Sequence, residues 1–407
     1  MITGRYTLFT RIPLFLSADG TFLTGQLWQK DLQRHFDVIA DLHLCCPVLP
    51  LAQAESADLV VVRGLGRDRV TALRQDGGWG SVLRNLLPNF LAVRKALRKT
   101  DIAHSGGAGW AFPLSFYILP LRALYRFQWV VLIESSFWMK PEGRRASARE
   151  WLRHQVHAAV LGRCLKRADA RIFTQEGYRQ FFGIGPERSL IAPAVWVDED
   201  QILSAEAQSQ RLAALPKDQT RFLFPARLIA DKGVETVLRA IEIAEERLAG
   251  MAPETAPAIA LDIIGTGPLE ERCRSFVQNH RGRISLRLLE TVEYGAPFFA
   301  LLRGYHAMLL ANRQQEQPRV IFDAFSQGVP VLSTATTGVQ DVVRPETDAL
   351  LFAVDDAAAM AEAMLRLEGD KALQARLSAG ALMGASGHSH SGMHRKRAEF
   401  LKRVLDR

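Results

Sequence analysis

From Phe222 to Leu367 the chain repeats one pattern: a short apolar run, a break rich in glycine or charge, then residues at helical spacing. Phe222–Phe224, Ile259–Ile264, Ile284–Leu289, Ala307–Leu310 and Val329–Leu332 are the apolar runs, and their lengths suit strands. Val234, Val237, Leu238, Ile241 and Leu248 fall on one helical face after the first run. Pro318 stands where a helix would begin, in a segment that ends at Gly328. Asp355-Asp356 caps a last amphipathic helix, roughly 357–367. Parallel neighbours need a crossover connection, so strands alternating with helices predict an α/β fold with a parallel sheet covered on both faces.

The first half has the same character with less regularity. Leu8–Leu16 reads as a strand, Ala18-Asp19-Gly20 as a turn and Gly25–Arg34 as a helix. Ile102–His104, Trp129–Ile133 and Ala170–Thr174 are further strand candidates. A chain of 407 residues exceeds one compact core. The polar, Ala/Gln-rich segment 193–220 marks the expected boundary, giving domains 1–200 and 201–385 and a helical tail, 386–407, that packs back on the first domain. The four cysteines show no metal-like spacing and read as buried free thiols in a reducing compartment. No basic segment followed by a small-residue cleavage site opens the chain, and the apolar stretch 106–121 is interrupted by prolines and reads as a buried helix. The expected location is cytoplasmic.

Charge separates the halves. Residues 1–200 hold 26 Lys/Arg and 18 Asp/Glu of the chain's 51 and 43, so the whole excess of +8 lies there and 201–407 balances at 25 of each. Such a surface either aids solubility or meets an anionic partner. Within it, 140–171 is a basic amphipathic helix candidate, either a solvated face or a membrane-surface contact. No aromatic-basic motif of a nucleic-acid reader is present.

In open α/β sheets ligands bind outside the carboxyl ends of strands. Three loops of the second half fall there: FPARLIADKG, GTGP and ANRQQEQP. Arg227 and Lys232 suit a diphosphate, the first as a planar fork and the second as a mobile point charge, or are surface cations flanking a helix start. The N–H groups of Arg319, Val320 and Ile321 would open a second anion site, and Asp323 would reach a ribose diol or be a solvated helix residue. Arg319 is alternatively an ion-pair partner for Glu316 or Asp323. GTGP is too short for a dinucleotide fingerprint. The histidines of HSHSGMH (388–394) lack a second ligand cluster, and no metal site is assigned.

The order FPARLIADKGVETVLRA, LDIIGTGPLEE, ANRQQEQPRVIFDAFSQGVPVLSTATTGVQDVV and DALLFAVDD resembles the donor-binding domain of the family 4 glycosyltransferases over roughly 220–367. The likeness in 1–200 is weaker and rests on Asp19-Gly20, DIAHSGG and TQEGYRQFF. The resemblance implies the GT-B fold, two Rossmann-like domains facing each other across a cleft, and retaining, metal-independent sugar transfer. By it, Arg227 and Lys232 hold a nucleotide-sugar diphosphate. The loop of Gly265 and Gly267 and the first loop's Gly20 approach the donor, amides 319–321 cap the distal phosphate, and Asp323 binds the ribose. The family's Glu-x7-Glu pattern is altered: its first acid is either replaced by Gln315 or shifted to Glu316, and its second is shortened to Asp323. Glu134 stands where the family often has His, and His104 is the nearest imidazole by sequence, as catalytic candidate or buried core residue.

The expected partners are a nucleotide-sugar and a saccharide or polyprenyl-diphosphate-linked acceptor at the inner membrane face, with no nucleic acid. The alternatives are a nucleotide-sugar-binding protein without turnover and a nucleotide-sugar epimerase.

Overall fold

The computed structural model describes residues 1–54, 58–107, 112–140, 146–252 and 258–405. The chain forms two compact units, one of Met1–Met139, Ser147–Ala192 and Met393–Arg407, the other of Lys140–Ala146 and Pro193–Gly392.

The first unit contains β1 (Ile2–Phe9), β2 (Leu14–Leu16), β3 (Phe22–Gly25), α1 (Gln26–Val38), β4 (Ile39–Pro50), β5 (Leu59–Val61), β6 (Val70–Leu73) and α2 (Trp79–Leu97). It continues with β7 (Ile102–Gly106), α3 (Leu114–Leu121), β8 (Gln128–Ile133), α4 (Ala148–Arg167), β9 (Ala170–Phe173), α5 (Glu176–Phe181) and β10 (Ser189–Ile191). Its sheet runs β10-β9-β8-β7-β1-β4-β2-β3-β5, with β6 also on β4. The pairings are parallel except around β3, which runs antiparallel to β2 and β5.

The stretch Leu8–Leu16 is therefore not one strand. β1 stops at Phe9, Arg11 turns aside to Asp76, and Pro13, which has no N–H for a ladder, precedes a new strand. The turn at Ala18–Gly20 closes the β2/β3 hairpin, and the helix expected around 25–34 follows β3 as α1. The stretch 106–121 starts on the last residue of β7 and holds the largely buried α3, with 108–111 outside the described residues. Of 140–171, α4 starts after a Ser147 cap whose Oγ accepts the Glu150 N–H while Glu150 Oε2 accepts the Ser147 N–H; 141–145 lie outside the described residues.

The second unit contains α6 (Ala205–Ala214), β11 (Thr220–Pro225), α7 (Val234–Ala249), β12 (Ile259–Ile264), α8 (Glu270–Asn279), β13 (Ser285–Leu289), α9 (Ala296–Leu302) and β14 (Ala307–Leu310). Then follow α10 (Val320–Ser326), β15 (Val331–Thr334), α11 (Thr337–Gln340), β16 (Ala349–Phe352), α12 (Ala357–Gly369), α13 (Lys371–Ala385) and α14 (His390–Leu405), whose larger part lies in the first unit. The sheet is wholly parallel, in the order β13-β12-β11-β14-β15-β16. The residues of β12 are buried throughout, as expected of a strand covered on both faces. The Asp356 carboxylate caps α12 by accepting the Ala359 N–H at 2.9 Å. All four cysteines are buried free thiols, and burial pushes those of Cys46 and Cys164 up to about 12.

Candidate functional site

The order of the second sheet reverses between β11 and β14: from β11 the chain builds outward through β12 and β13, then returns to β14 on the other side. The loops leaving these two neighbours diverge to opposite faces and leave a crevice between them, the preferred ligand position in this architecture. The loop after β11 carries Arg227 and Lys232, and the loop after β14 carries 311–319.

The crevice loops are joined backbone to backbone. Leu228 N–H donates to the Thr266 carbonyl at 2.8 Å, and Leu269 N–H to the Leu228 carbonyl at 2.9 Å. Arg313 N–H donates to the Asp231 carbonyl at 2.9 Å, and Gln314 Nε2 to Asp231 Oδ2 at 2.7 Å. Gly233, at φ +68°, lies so close to β14's loop that an added Cβ would sit 2.0 Å from the Ala311 carbonyl oxygen. At Gly265 (φ +146°) it would sit 1.8 Å from the Ala226 carbonyl oxygen. These glycines, and Gly267 beside Leu228, bring the loops together.

The charged groups of this edge divide into committed and open. Lys232 Nζ donates to Glu316 Oε1, so one expected phosphate ligand and one expected acid form an ion pair across the crevice. Arg313 is paired with Asp355 at 2.6 Å. Arg227 is exposed and has no ion-pair partner among the described residues. Arg319 pairs with neither Glu316 nor Asp323 among the described residues; its guanidinium lies 5.5 Å from the Trp196 ring centroid. Gln315 Oε1 accepts from the Thr337 N–H at 3.0 Å and from Thr337 Oγ1 at 2.7 Å.

The amides expected at the start of the next helix are only partly available. The helix begins at Val320, and Ile321 N–H donates to the Pro318 carbonyl at 3.2 Å in a tight first turn. Among the described residues, the N–H groups of Arg319 and Val320 take no backbone acceptor. Asp323 is buried rather than solvated, and Tyr294 donates its hydroxyl to Asp323 Oδ1 at 2.8 Å. Burial, reinforced by the Asp323 charge, raises the Tyr294 phenol far above its ordinary value.

The candidates of the first unit do not gather in this way. His104 lies within β7, 4% exposed, with Nδ1 bonded to the Tyr6 hydroxyl at 2.7 Å. Burial, then the charges of His35 and Arg397, lower it to about 3. It is a core residue, because β7 is the inner strand between β1 and β8. Glu134 is exposed at the carboxyl end of β8. His104 is paired in register with Val130, so Glu134 is displaced along the sheet by about four strand residues, roughly 13 Å, too far to share one reacting atom. Gly20 sits in the β2/β3 hairpin near the sheet edge, with Arg67 against it, not on the loop that leaves β1. In HSHSGMH, His390 stacks on Trp196 at 5.4 Å, and His394 bonds Asp31 at 2.9 Å.

Sequence reasoning missed Trp196, Tyr294, Asn312, Gln317 and Thr336. Buried side-chain polar atoms of Asn312, Gln317 and Thr336 have no partner among the described residues. Tyr294, Asn312 and Thr336 follow the carboxyl ends of β13, β14 and β15, so the strand-end rule applied to every strand would have found them. Trp196 carried no such signal, because it lies in the segment read as a linker.

Residues 206–382 match the family described as glycosyl transferases group 1. The chain is 28% identical over 216 residues to the exopolysaccharide phosphotransferase SCO2592 of Streptomyces coelicolor, covering 47% of this chain and 21% of that protein. It is 26% identical over 167 residues to the lipopolysaccharide core biosynthesis glycosyltransferase LpsD of Rhizobium meliloti, covering 40% of this chain and 44% of that one. Both matches thus span less than half of the relative's length. Among solved structures, a sucrose-phosphate synthase from Thermosynechococcus elongatus aligns with a TM-score of 0.71 at 18% identity, over 99% of this chain and 100% of its own. HepE of Anabaena, solved with UDP and glucose, aligns with a TM-score of 0.64 at 14% identity, over 98% and 100%. Residues 206–382 thus carry a match to the glycosyl transferases group 1 family, in a chain whose fold is of the GT-B type.

Proposed function

We propose that the protein is a retaining glycosyltransferase of the family 4 type, moving a sugar from a nucleotide-sugar to a saccharide or polyprenyl-diphosphate-linked acceptor. The observation that carries this reading is the crevice at β11/β14, where the loop of Arg227 and Lys232 is bonded to the loop that ends in Pro318. In it a diphosphate meets the open fork of Arg227, the Lys232 ammonium and the amides of Arg319 and Val320. Lys232 then exchanges part of its contact with Glu316 for the donor, which leaves the Glu316 carboxylate beside the transferred sugar. Asn312, Gln317 and Thr336 offer neutral donors and acceptors suited to sugar hydroxyls.

The chemical step needs stabilisation of a departing phosphate more than an activated nucleophile. That phosphate takes the acceptor proton on the face it leaves, and no metal is assigned a part. The relatives' names, which concern exopolysaccharide and lipopolysaccharide core, support an acceptor of the cell-surface polysaccharide class. The acidic substitutions favour one second reading, a nucleotide-sugar-binding protein without turnover, because Gln315 is tied to Thr337 and Asp323 to Tyr294. The excess positive charge of residues 1–200, with α4, supports work at the inner face of a membrane.

A panel of nucleotide-sugars screened for protection against thermal unfolding identifies the donor, and release of its nucleotide with acceptor extracts measures transfer. Arg227→Ala is expected to weaken the protecting donor by about tenfold or more, corresponding to the loss of a charge-assisted bond. Unchanged affinity in that variant overturns the site. Tight binding without transfer selects the second reading.

A further inference from the structure

The outer side of α2 reverses the usual distribution of polarity. Its buried face carries Val82, Val93 and Leu97, but also Asn85 and Asn89. These asparagines are tied to the strand-to-helix connection: Asn89 exchanges two bonds with the Arg74 backbone, and Asn85 Nδ2 donates to the Gln75 carbonyl and to Asp76 Oδ1. The opposite face exposes Trp79, Leu83, Leu86, Leu87 and Leu91, with Leu83 71% and Leu87 66% exposed. At 3.6 residues per turn these five occupy an arc of about 140°. One exposed leucine needs no explanation, but a continuous apolar face does.

Charge decides what covers it. From Gly77 to Thr100 there is no acidic residue, while Arg84, Arg94, Lys95, Arg98 and Lys99 are basic. Arg94 and Arg98 both donate to the Tyr125 hydroxyl, at 3.0 and 3.4 Å, which gathers the cations at the helix end. An acid-free apolar stripe that runs into cations complements an anionic bilayer surface: the leucines enter the acyl boundary and the cations meet headgroup phosphates. Trp79, half exposed at the other end of the helix, is the aromatic type that settles at that boundary. α2 packs on α3 and α3 on α4, so the three helices form one layer, in which α4 also exposes Trp151, Leu152 and Val156. No helix among the described residues is long and apolar enough to cross a membrane, which makes the contact peripheral.

We propose that α2 lies in the surface of an anionic bilayer, with the Trp79–Leu91 face inserted and its basic residues on lipid phosphates. This goes beyond the membrane contact read from α4 and does not depend on the donor site. The test floats the full chain with vesicles of phosphatidylcholine alone, or mixed in equal parts with phosphatidylglycerol. Wild type is expected on the mixed vesicles only, and less so at high salt. The Leu83→Ser, Leu87→Ser double variant is expected to bind about tenfold more weakly or worse, with an unchanged thermal midpoint because both side chains are exposed. Arg84→Glu with Lys95→Glu, which leaves the leucines in place, is expected to lose the preference for phosphatidylglycerol. Three results overturn the proposal: no flotation of wild type, equal flotation of the leucine variant, or a wild-type dimer in sedimentation that the leucine variant dissolves. The last would assign the face to a second copy. Donor protection of the same preparations is read separately, so a failure here leaves the donor site standing.

Discussion

Asp262 shows how the second unit tolerates charge inside a sheet. It is 1% exposed on β12, and Arg287 donates to both of its oxygens, at 2.8 and 2.6 Å. Tyr305 adds a bond at 2.6 Å, and Arg221 approaches to 3.5 Å. Burial alone would raise this carboxyl, but the bonds from Arg287 and Tyr305 and the two guanidinium charges hold it below its ordinary value. Its contribution is therefore complete above the unfolded carboxylate range and is lost as the pH falls through the lowered folded value. Asp262→Ala leaves Arg221 and Tyr305 without their shared acceptor, and is expected to cost about 3 kcal/mol in urea unfolding at neutral pH. The loss should shrink in strong acid.

Among elements, the loops around the β11/β14 crevice behave as one piece, because Gly233 allows the first to touch the second. Gly233→Ala forces a Cβ into the Ala311 carbonyl and is expected to lower the thermal midpoint and abolish donor protection together. Loss of only one of these would separate the site from the fold. Much of this unit was legible from sequence because each strand holds a short apolar run, and the helices after the first and last of them carry a one-sided apolar stripe. In the first unit the same logic failed where strands stop being interior. β2, β3 and β5 form a small edge region with an antiparallel hairpin, and a hairpin turn and a strand-to-helix turn share the same glycine and aspartate signals. His104 could not be sorted from sequence, because alternation in a strand buried on both faces does not reveal which side chains meet solvent. The meeting of Lys232 with Glu316 was equally hidden: 84 positions separate them, and only the strand order makes them neighbours.

At the scale of the whole molecule, three of the histidines buried among the described residues contribute to the response to acid. His104, His306 and His394 are each 4–5% exposed. Burial first, and nearby cations second in the case of His306, lower His306 to about 4; burial, opposed by the Asp31 bond, lowers His394 to about 4. His104 is lower still, at about 3. Each is neutral when folded but takes a proton near pH 6.5 when unfolded, so stability is full above that value and falls as the pH drops toward the folded values. Thermal midpoints are expected to decline from pH 7 to pH 5. His306→Asn keeps a side-chain acceptor for the Arg221 N–H and should flatten the decline by up to about 1.4 kcal/mol per pH unit. An unchanged slope would mean that His306 titrates normally.

The last described turns, from Met393 onward, belong to the first unit, where Phe400, Leu401 and Leu405 join the core beside Ile2, Tyr6 and Leu42 and Gln128 bonds the Leu405 carbonyl. During synthesis, then, the half of the protein made first is the half completed last. Its nascent form waits, with part of its core missing, while the two hundred residues of Pro193–Gly392 are made, and its apolar surface is prone to aggregate in that interval.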